Sequence, residues 1–250
     1  MRILDSFAGA AFDAALALIY PQPCEVCGGS VESRKDGVAC RGCWRETRLF
    51  GVDQSLCWRC GAPTLVQVQS AAAEDLRCHR CDELSFTAAR ACGVYEKALR
   101  ASVISLKRQP HVPSRLVSLM VRRCQIAPLD RATVIIPVPL HHEREKERGF
   151  NQANLLGEAL ARSLCLPFLD QVLSRPHHTE RHRAGMDAKS RRASVAGAFA
   201  VITSRLVKDE TVLLVDDVFT SGATISACAA VLSAAGAREV VALTLARPLL

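Results

Sequence analysis

The sequence predicts an α/β fold, with a mainly parallel sheet covered by helices on both faces and a small cysteine-rich domain in front of it. Two observations favour this class. Eight of the 12 cysteines form C-x-x-C pairs in the first third of the chain, and from about Ser85 onward strand-like apolar runs alternate with helical periodicity. Such alternation over at least three units is typical of a parallel sheet that binds ligands at the carboxyl ends of its strands. With 250 residues and 49% hydrophobic content, the chain can bury the cores of one or two domains.

The first 20 residues, MRILDSFAGAAFDAALALIY, are apolar enough to resemble a signal peptide. Asp5 and Asp13 interrupt the apolar run, however, and no A-x-A-like cleavage site follows it. We therefore expect a short amphipathic helix over residues 1–20. Nothing elsewhere approaches about 18 uninterrupted apolar residues, so we expect no transmembrane segment. Without an export signal, we expect a cytoplasmic protein.

Residues 21–85 are predicted to form a double zinc ribbon. Two residues between thiols allow a tight turn to place both sulfurs on one face of a tetrahedral ion, and two such knuckles complete a four-cysteine site. Gly28 and Gly61 directly follow a knuckle, where a left-handed residue orients backbone N–H groups toward sulfur. The spacing predicts two structural zinc ions with the ligands Cys24, Cys27, Cys40, Cys43, Cys57, Cys60, Cys78 and Cys81.

The pairing of the four knuckles stays open. Sequential pairing would close two compact ribbons, but spacing does not exclude an interleaved arrangement. A disulfide framework is the competing interpretation, yet it needs an export signal, and a thioredoxin-like redox motif occurs once rather than four times. Because large apolar residues are few here, we expect the segment to need metal to fold. The other four cysteines are expected to be buried thiols: Cys92, Cys124, Cys165 and Cys228.

The expected elements of residues 86–250 follow one another in order. RACGVYEKALRASVISLKRQ contains a short strand and then an amphipathic helix that ends near Lys107. ATVIIPVPL is a β-branched run typical of a buried parallel strand, stopped by Pro137 and Pro139. NQANLLGEALARSL has leucines at helical spacing and Asn151 as its N-cap. The strands AFAVI and TVLLV, the helix TISACAAVLSAAG and the strand EVVALTLA complete the series.

The stretch VLLVDDVFTSGAT, Val212 to Thr224, places two adjacent carboxylates, Asp216 and Asp217, at the end of a buried strand. The small residues after it lead into a helix, so their N–H groups are expected to form an anion cradle, to which Gly222 allows close approach. Carboxylates above such a cradle would accept hydrogen bonds from vicinal hydroxyls, which suits a ribose 5-phosphate. The expected cradle comprises Thr220, Ser221, Gly222, Ala223 and Thr224.

Adjacent acids also occur in receiver-type phosphoacceptors, Walker B strands and helix caps. No G-x-x-x-x-G-K-[ST] loop is present in this sequence, and capping needs only one acid. The complete strand, acid pair and hydroxyl loop resembles the phosphoribosyl diphosphate motif of type I phosphoribosyltransferases. This resemblance implies their fold for residues 86–250.

A second segment narrows the resemblance. IIPVPLHHEREKERGFNQANLLGEALA, Ile135 to Ala161, is similar to the signature of ComF-family competence proteins, which also carry an N-terminal double zinc ribbon. The resemblance thus covers nearly the whole chain. A strand is expected to end at Pro139 and to open a loop with His141, Arg144 and Arg148. Guanidinium forks bind phosphate oxygens bidentately, which suits a diphosphate, although alternating glutamates also fit a solvated mixed-charge loop.

The stretch HHTERHRAGMDAKSRRASVAGAF, His177 to Phe199, resembles the mobile hood that precedes the nucleotide motif in this family. Gly185 would allow it to hinge. Its basic residues would close over an anionic ligand: Arg181, Arg183, Lys189, Arg191 and Arg192. The chain departs from the family pattern at Arg183 and Ser194, where relatives tend to have Gln and Asn. If those amides position a base or nucleophile, the acceptor chemistry here differs or is absent.

The resemblance implies a phosphoribosyltransferase that binds Mg²⁺ together with phosphoribosyl diphosphate and displaces diphosphate from the anomeric carbon. Asp216 and Asp217 would then hold the ribose hydroxyls, directly or through the metal. Arg144 and Arg148 would stabilise the diphosphate, and Lys107 would join the ligand-binding residues. The sequence does not identify the acceptor.

The alternative interpretation is a non-catalytic adaptor that uses the same fold to hold a nucleotide or single-stranded DNA, together with other DNA-uptake proteins. Residues 1–85 carry a net charge of −2 and the remainder +9. A basic region suits a polyanion, although a solvated basic face is the simpler explanation. Because aromatic residues make up only 5% of the chain, platforms for base stacking are few.

Overall fold

The computed structural model describes residues 22–51, 54–64, 77–78, 81, 83–176 and 197–249. The expected helix over residues 1–20 and nearly all of the expected hood, up to residue 196, lie outside these residues.

The described residues form a four-stranded parallel sheet and a small two-stranded one. The strands are β1 (Ala88–Val94), β2 (Val134–Pro137), β3 (Leu173–Ser174), β4 (Ala200–Val201), β5 (Thr211–Val218) and β6 (Glu239–Arg247). The large sheet has the order β1-β6-β5-β2 with every pair parallel, and β3 pairs with β4 in antiparallel orientation. The predicted parallel sheet is therefore confirmed, although AFAVI contributes only the short β4 outside it.

Six helices accompany these strands in the part of the chain that the structure describes. They are α1 (Arg41–Arg45), α2 (Lys97–Leu106), α3 (Ser114–Cys124), α4 (His142–Arg148), α5 (Gln152–Leu164) and α6 (Ala223–Ala234). The side chain of Asn151 accepts a hydrogen bond from the Ala153 N–H and so caps α5, as predicted. None of the described helices is long and apolar enough to cross a membrane.

Helices cover the sheet on both faces because successive residues of a strand point to opposite sides. Leu213 and Val215 of β5 belong to a core cluster with α2, α3 and α5. Val212 and Leu214 belong to a second cluster, which includes residues of α6. The β-branched runs predicted as buried strands thus contribute side chains to both cores. Because both faces of these strands are buried, their sequences do not alternate between apolar and polar residues.

The cysteine-rich segment packs against the edge of the large sheet. The Phe50 N–H donates to the Cys92 carbonyl at 2.9 Å, and the Val94 N–H donates to the Arg48 carbonyl at 2.8 Å. Gly93 permits this approach, since a Cβ atom there would lie 2.5 Å from the Arg48 oxygen. The segment thereby covers the free edge of β1, which would otherwise present unpaired backbone groups.

The two halves of this segment lie on opposite faces of the sheet. Cys43 and Trp44 join the core cluster of α2 and α3, whereas Cys57, Cys60 and Cys81 join the cluster of α6. Ion pairs add to the first contact: Arg48 with Glu96 at 2.6 Å, Arg108 with Glu25 at 2.8 Å, and Arg115 with Asp36. The expected boundary near residue 85 is therefore a packed interface.

Three local expectations differ from the structure. The acid pair lies within β5, which extends to Val218. The helix α3 was not predicted; its buried side chains include Leu116, Leu119 and Met120, spaced for one helical face. Cys165 is exposed rather than buried, because it ends α5 in a left-handed conformation with φ of 55°.

Candidate functional site

The eight paired cysteines form two four-sulfur clusters in sequential order. The first cluster, called the first zinc centre, comprises Cys24, Cys27, Cys40 and Cys43; the second zinc centre comprises Cys57, Cys60, Cys78 and Cys81. Within each cluster all sulfurs lie within 4.8 Å of one another, and none of these cysteines is in a disulfide. The Cys24 to Cys43 and Cys57 to Cys81 separations are 3.8 and 3.5 Å. Four thiolates about 2.3 Å from a tetrahedral ion lie about 3.8 Å apart, so both clusters fit zinc.

Backbone N–H groups point at the sulfurs, as the turn glycines predicted. The N–H groups of Val26 and Cys40 lie 3.4 and 3.3 Å from the Cys24 sulfur, and Gly28 and Gly61 have φ of 76° and 66°. Burial raises the pKa of the Cys24 thiol, but these donors outweigh it and lower the pKa to about 6. At Cys24 the backbone therefore favours the thiolate, which is the form that binds zinc.

The acid pair belongs to the last residues of β5, at the carboxyl edge of the sheet. Although neighbouring residues of a strand start on opposite sides, the Asp216 carboxylate turns back and accepts from the Asp217 N–H. Asp217 faces α2 and α5, where its partners are Lys107 and Gln152. Asp216 is close enough to Arg175 and to Cys228 of α6 to affect their pKa values. The two carboxyls also interact with each other, and Lys107 affects both of them.

Asp217 is buried in a polar network. Its Oδ2 accepts a hydrogen bond from the Gln152 side chain at 3.3 Å and lies 2.8 Å from the Lys107 ammonium. Lys107 is the C-cap of α2, so its side chain extends from the end of that helix. Gln152 accepts in turn from Arg148 of α4. Three residues predicted to bind ligand are therefore connected, Lys107 directly to Asp217 and Arg148 to Asp217 through Gln152.

The pKa of the Asp216 carboxyl is raised by its surroundings. Burial raises the pKa of this carboxyl well above its usual range, and the nearby charge of Asp217 raises it further. The Asp217 N–H, which donates to Asp216 Oδ1 at 2.8 Å, and the charge of Lys107 oppose the shift only in part. Strongly perturbed carboxyls in an α/β crevice are typical of functional sites.

The residues after β5 form a tight loop at the N-terminus of α6. Gly222 is the N-cap, with φ of 77°, and the Ser221 hydroxyl accepts from the Ala223 N–H at 3.4 Å. Among the described residues, the backbone N–H groups of Thr220, Ser221, Gly222 and Thr224 have no hydrogen-bond acceptor. Free donors at the positive end of a helix favour an anion. We call residues Thr220 to Thr224 the phosphate loop.

The segment predicted as a diphosphate loop is the short helix α4. The helix ends at Gly149, which has φ of 81°, and its interior HEREKER is made of good helix formers. Arg144 and Arg148 lie one turn apart and are partly buried, whereas Glu143, Glu145 and Glu147 are exposed. Residues four positions apart lie on the same face of a helix, so both arginines face the protein and the glutamates face the solvent.

His141 lies at the start of this helix. It is buried, with 4% of its surface exposed, and its Nδ1 accepts from the Glu143 N–H at 3.4 Å. The ring also packs against His142 with centroids 4.3 Å apart. The structure therefore gives His141 the role of N-cap for α4; a contact with ligand stays a prediction.

Two residues of the site were missed by sequence reasoning. Gln152 links Arg148 to Asp217, but the two residues lie on separate helices on either side of Gly149, so helical spacing gave no signal for their contact. Arg175, just after β3, is near both Arg144 and Asp216, and burial lowers its pKa. No sequence motif pointed to Arg175, because it is brought to the site only by the small sheet.

The carboxyl edge of the sheet therefore carries more positive than negative charge. Among the described residues, four cations gather around two acids: Lys107, Arg144, Arg148 and Arg175 around Asp216 and Asp217. A cluster of cations of this kind favours an anionic ligand. The geometry thus suits a ligand with more than one phosphate group.

Comparison with known proteins gave two family models. A double zinc ribbon domain matches residues 15–82, and a phosphoribosyl transferase domain matches residues 156–249. Competence protein F of Haemophilus influenzae is 33% identical over 90% of this chain and 96% of its own length. DNA utilization protein YhgH of Escherichia coli K12 is 29% identical over 93% of this chain and 100% of its own. The adenine phosphoribosyltransferase structure from Leishmania tarentolae covers 58% of each chain at 22% identity, with a TM-score of 0.34.

Proposed function

The chain belongs to the ComF family, with its double zinc ribbon and phosphoribosyltransferase domain, and from this premise we propose that it binds phosphoribosyl diphosphate with Mg²⁺ at the carboxyl edge of its sheet. One observation carries the proposal: the free N–H groups of the phosphate loop stand directly beside a carboxylate pair that is surrounded by cations. Phosphoribosyl diphosphate carries a 5-phosphate, a ribose and a diphosphate in this order. The N–H groups suit the 5-phosphate, the carboxylates suit the ribose hydroxyls, and the cations suit the diphosphate.

The 5-phosphate lies against the phosphate loop. Its oxygens accept hydrogen bonds from the free N–H groups and from the Thr220, Ser221 and Thr224 hydroxyls, at the positive end of α6. The loop can approach closely because Gly222 has no side chain. These donors are fixed before the ligand arrives, so binding requires little reorganisation.

The ribose hydroxyls are held by the acid pair, directly or through the metal. Carboxylate oxygens suit Mg²⁺, which takes one or two of them and completes its shell with substrate phosphates and water. Asp217, which contacts Gln152, and Asp216, which lies near Arg175, would supply these oxygens. Mg²⁺, when bound, neutralises charge on the diphosphate.

The diphosphate contacts Arg144 and Arg148 of α4 and the Lys107 ammonium. If the chain is a transferase, the bond from the anomeric carbon to the diphosphate oxygen breaks, and an acceptor attacks that carbon. The arginines then stabilise the charge that develops on the leaving diphosphate. Among the described residues, we assign no side chain to a general base.

Replacement of both α4 arginines tests this arrangement. In Arg144→Gln, Arg148→Gln we expect phosphoribosyl diphosphate to bind at least about 100-fold more weakly, because each of the two lost hydrogen bonds to a charged group contributes about 1.5 to 3 kcal/mol. Ribose 5-phosphate, which lacks the diphosphate, should lose little affinity. Isothermal calorimetry measures both, with Arg162→Gln on the exposed side of α5 as a control. Equal losses for the two ligands would contradict the assignment.

Turnover distinguishes an enzyme from an adaptor. A transferase should release diphosphate when phosphoribosyl diphosphate and Mg²⁺ are mixed with its acceptor from a panel of nucleobases and amines. Binding without release across the whole panel would favour a non-catalytic nucleotide-binding protein on the same fold.

We also propose that the basic C-terminal part binds single-stranded DNA. Two observations favour this second function: the net charge of +9 beyond residue 85, and the relatives named competence protein F and DNA utilization protein YhgH. Contacts to phosphates would then supply most of the affinity.

The salt dependence of DNA binding checks this function. For single strands, log K falls against log salt with a slope of about −0.7 per phosphate contacted. If Arg191 and Arg192 each contact one phosphate, Arg191→Ala, Arg192→Ala should flatten the slope by about 1.4. Fluorescence anisotropy with a labelled oligonucleotide at several salt concentrations measures it. An unchanged slope would show that Arg191 and Arg192 do not contact the phosphates and that other residues do.

A further inference from the structure

A buried aromatic ring supports the phosphate loop from below. Phe219 lies between the acid pair and Thr220 and is 4% exposed. A Cβ atom added to Gly222 would lie 2.7 Å from the Phe219 Cζ atom, so the ring is in direct contact with the loop backbone. The position of Phe219 therefore determines the position of the free N–H groups above it.

Two side chains hold Phe219 in place. Phe86 packs edge-on against it, with ring centroids 6.0 Å apart and planes at 82°. The guanidinium of Arg247, the last residue of β6, lies 5.1 Å from the ring centroid. Both geometries are favourable, because an aromatic ring attracts the positive edge of another ring and a cation over its face.

Both residues are linked to the Cys57–Cys60 knuckle of the second zinc centre, Arg247 by its side chain and Phe86 by its backbone. Arg247 donates a hydrogen bond to the Cys60 carbonyl. Arg59, within the knuckle, donates to the Phe86 carbonyl at 3.2 Å and to the Leu84 carbonyl. A contact chain therefore runs from the second zinc centre through Arg247 and Phe86 to Phe219 and the phosphate loop.

Arg247 is costly to bury without negative charge. It is 5% exposed and forms no ion pair with a carboxylate of the described residues. A zinc ion with four thiolates has a net charge of −2, which attracts a guanidinium hydrogen-bonded to its knuckle. Zinc binding thus favours the buried position of Arg247 over Phe219.

We propose that Arg247 is a positioning residue that couples the second zinc centre to the phosphate loop. Zinc fixes the conformation of the knuckle, and the Cys60 carbonyl then keeps Arg247 in contact with Phe219. Phe219 in turn fixes the positions of the N–H groups of the loop. Coupling between two sites is reciprocal, so an anion on the loop also stabilises the knuckle. The inference rests on the proposed function, because it takes a 5-phosphate as the ligand of the loop.

Hydrogen exchange on the zinc-loaded wild-type chain tests the coupling with ribose 5-phosphate as the probe. We expect the ligand to slow exchange at least threefold in two segments, residues 219–226 around the loop and residues 54–64 around the knuckle. Residues 22–43 of the first zinc centre should not change. If the loop slows and the knuckle does not, the coupling is wrong; if the loop itself does not slow, the proposed function is wrong.

Two buried arginines allow a matched comparison. Arg247→Met should weaken ribose 5-phosphate binding about fivefold and abolish the ligand-induced slowing in residues 54–64, and Arg247→Lys should restore part of both. Arg90→Met is the control, since Arg90 donates to the Trp58 carbonyl of the same knuckle at 2.6 Å from β1. The control should keep the ligand-induced slowing. Loss of it in both Met variants would indicate a merely structural role and overturn the proposal.

Discussion

Loss of one ligand of the second zinc centre, in Cys60→Ser, is expected to destabilise the whole chain and not only residues 21–85. Three of the cysteines of this centre are buried in one core cluster with strands of the large sheet and with α6, and Cys78 packs against that cluster. Structural zinc contributes about 10 to 16 kcal/mol in zinc-finger peptides, which is as large as the total stability of a typical domain. Even a loss of about 5 kcal/mol would lower the Tm by about 10 to 20 °C.

Zinc content and thermal unfolding measure this effect together. The wild-type chain should hold close to two zinc ions, one for each four-sulfur cluster, and Cys60→Ser close to one. Cys24→Ser should remove the other ion and disorder the first ribbon. The matched control is Cys165→Ser, at an exposed cysteine outside both clusters, which should keep both ions and the wild-type Tm. A purified chain without metal, with its paired thiols in disulfides, would refute the zinc centres.

Removal of both charges of the acid pair is expected to abolish most binding of phosphoribosyl diphosphate. In Asp216→Asn, Asp217→Asn the affinity should fall tenfold or more, because hydrogen bonds to charged groups contribute about 1.5 to 3 kcal/mol each. The change also removes the carboxylate oxygens that suit Mg²⁺. We therefore expect calorimetry to show the ligand and the metal losing affinity together.

The control for this variant is Asp130→Asn, Asp170→Asn, which removes two charges at exposed acids. It should bind like the wild-type chain. If binding is unchanged in the acid-pair variant, the acid pair does not bind phosphoribosyl diphosphate. If the metal alone loses affinity, the acid pair holds Mg²⁺ and the ribose lies elsewhere.

The same site should show a pH dependence. Burial and the charge of Asp217 raise the pKa of Asp216, so this carboxyl keeps its proton at pH values where an exposed aspartate has lost it. Because a metal must displace the proton, Mg²⁺ affinity should rise with pH until the raised pKa is passed. Asp216→Asn has no proton to lose and should show a flatter profile. A flat profile in the wild-type chain would contradict this role for Asp216.

The sequence by itself determined the features that depend on local spacing. The C-x-x-C pairs identified all eight cysteines of the two clusters, because a two-residue turn can bring its own thiols together without help from the rest of the chain. The apolar runs identified the parallel strands, and the acid pair followed by TSGAT identified a strand, loop and helix N-terminus. The charges of HEREKER were less informative, since the same letters fit a solvated loop or a helix that is capped by Gly149.

Only the tertiary structure decided the features that depend on contacts between distant parts of the chain. It joined the knuckles in sequential order and placed the two ribbons on opposite faces of one sheet. It also brought Gln152 to Asp217, 65 residues apart, and Arg247 to Cys60, 187 residues apart. Periodicity and motif spacing extend over a few turns of chain, whereas these contacts follow from strand order and from the packing of both cores. The contacts of Gln152, Arg175 and Arg247 therefore could not be predicted from the sequence without the tertiary structure.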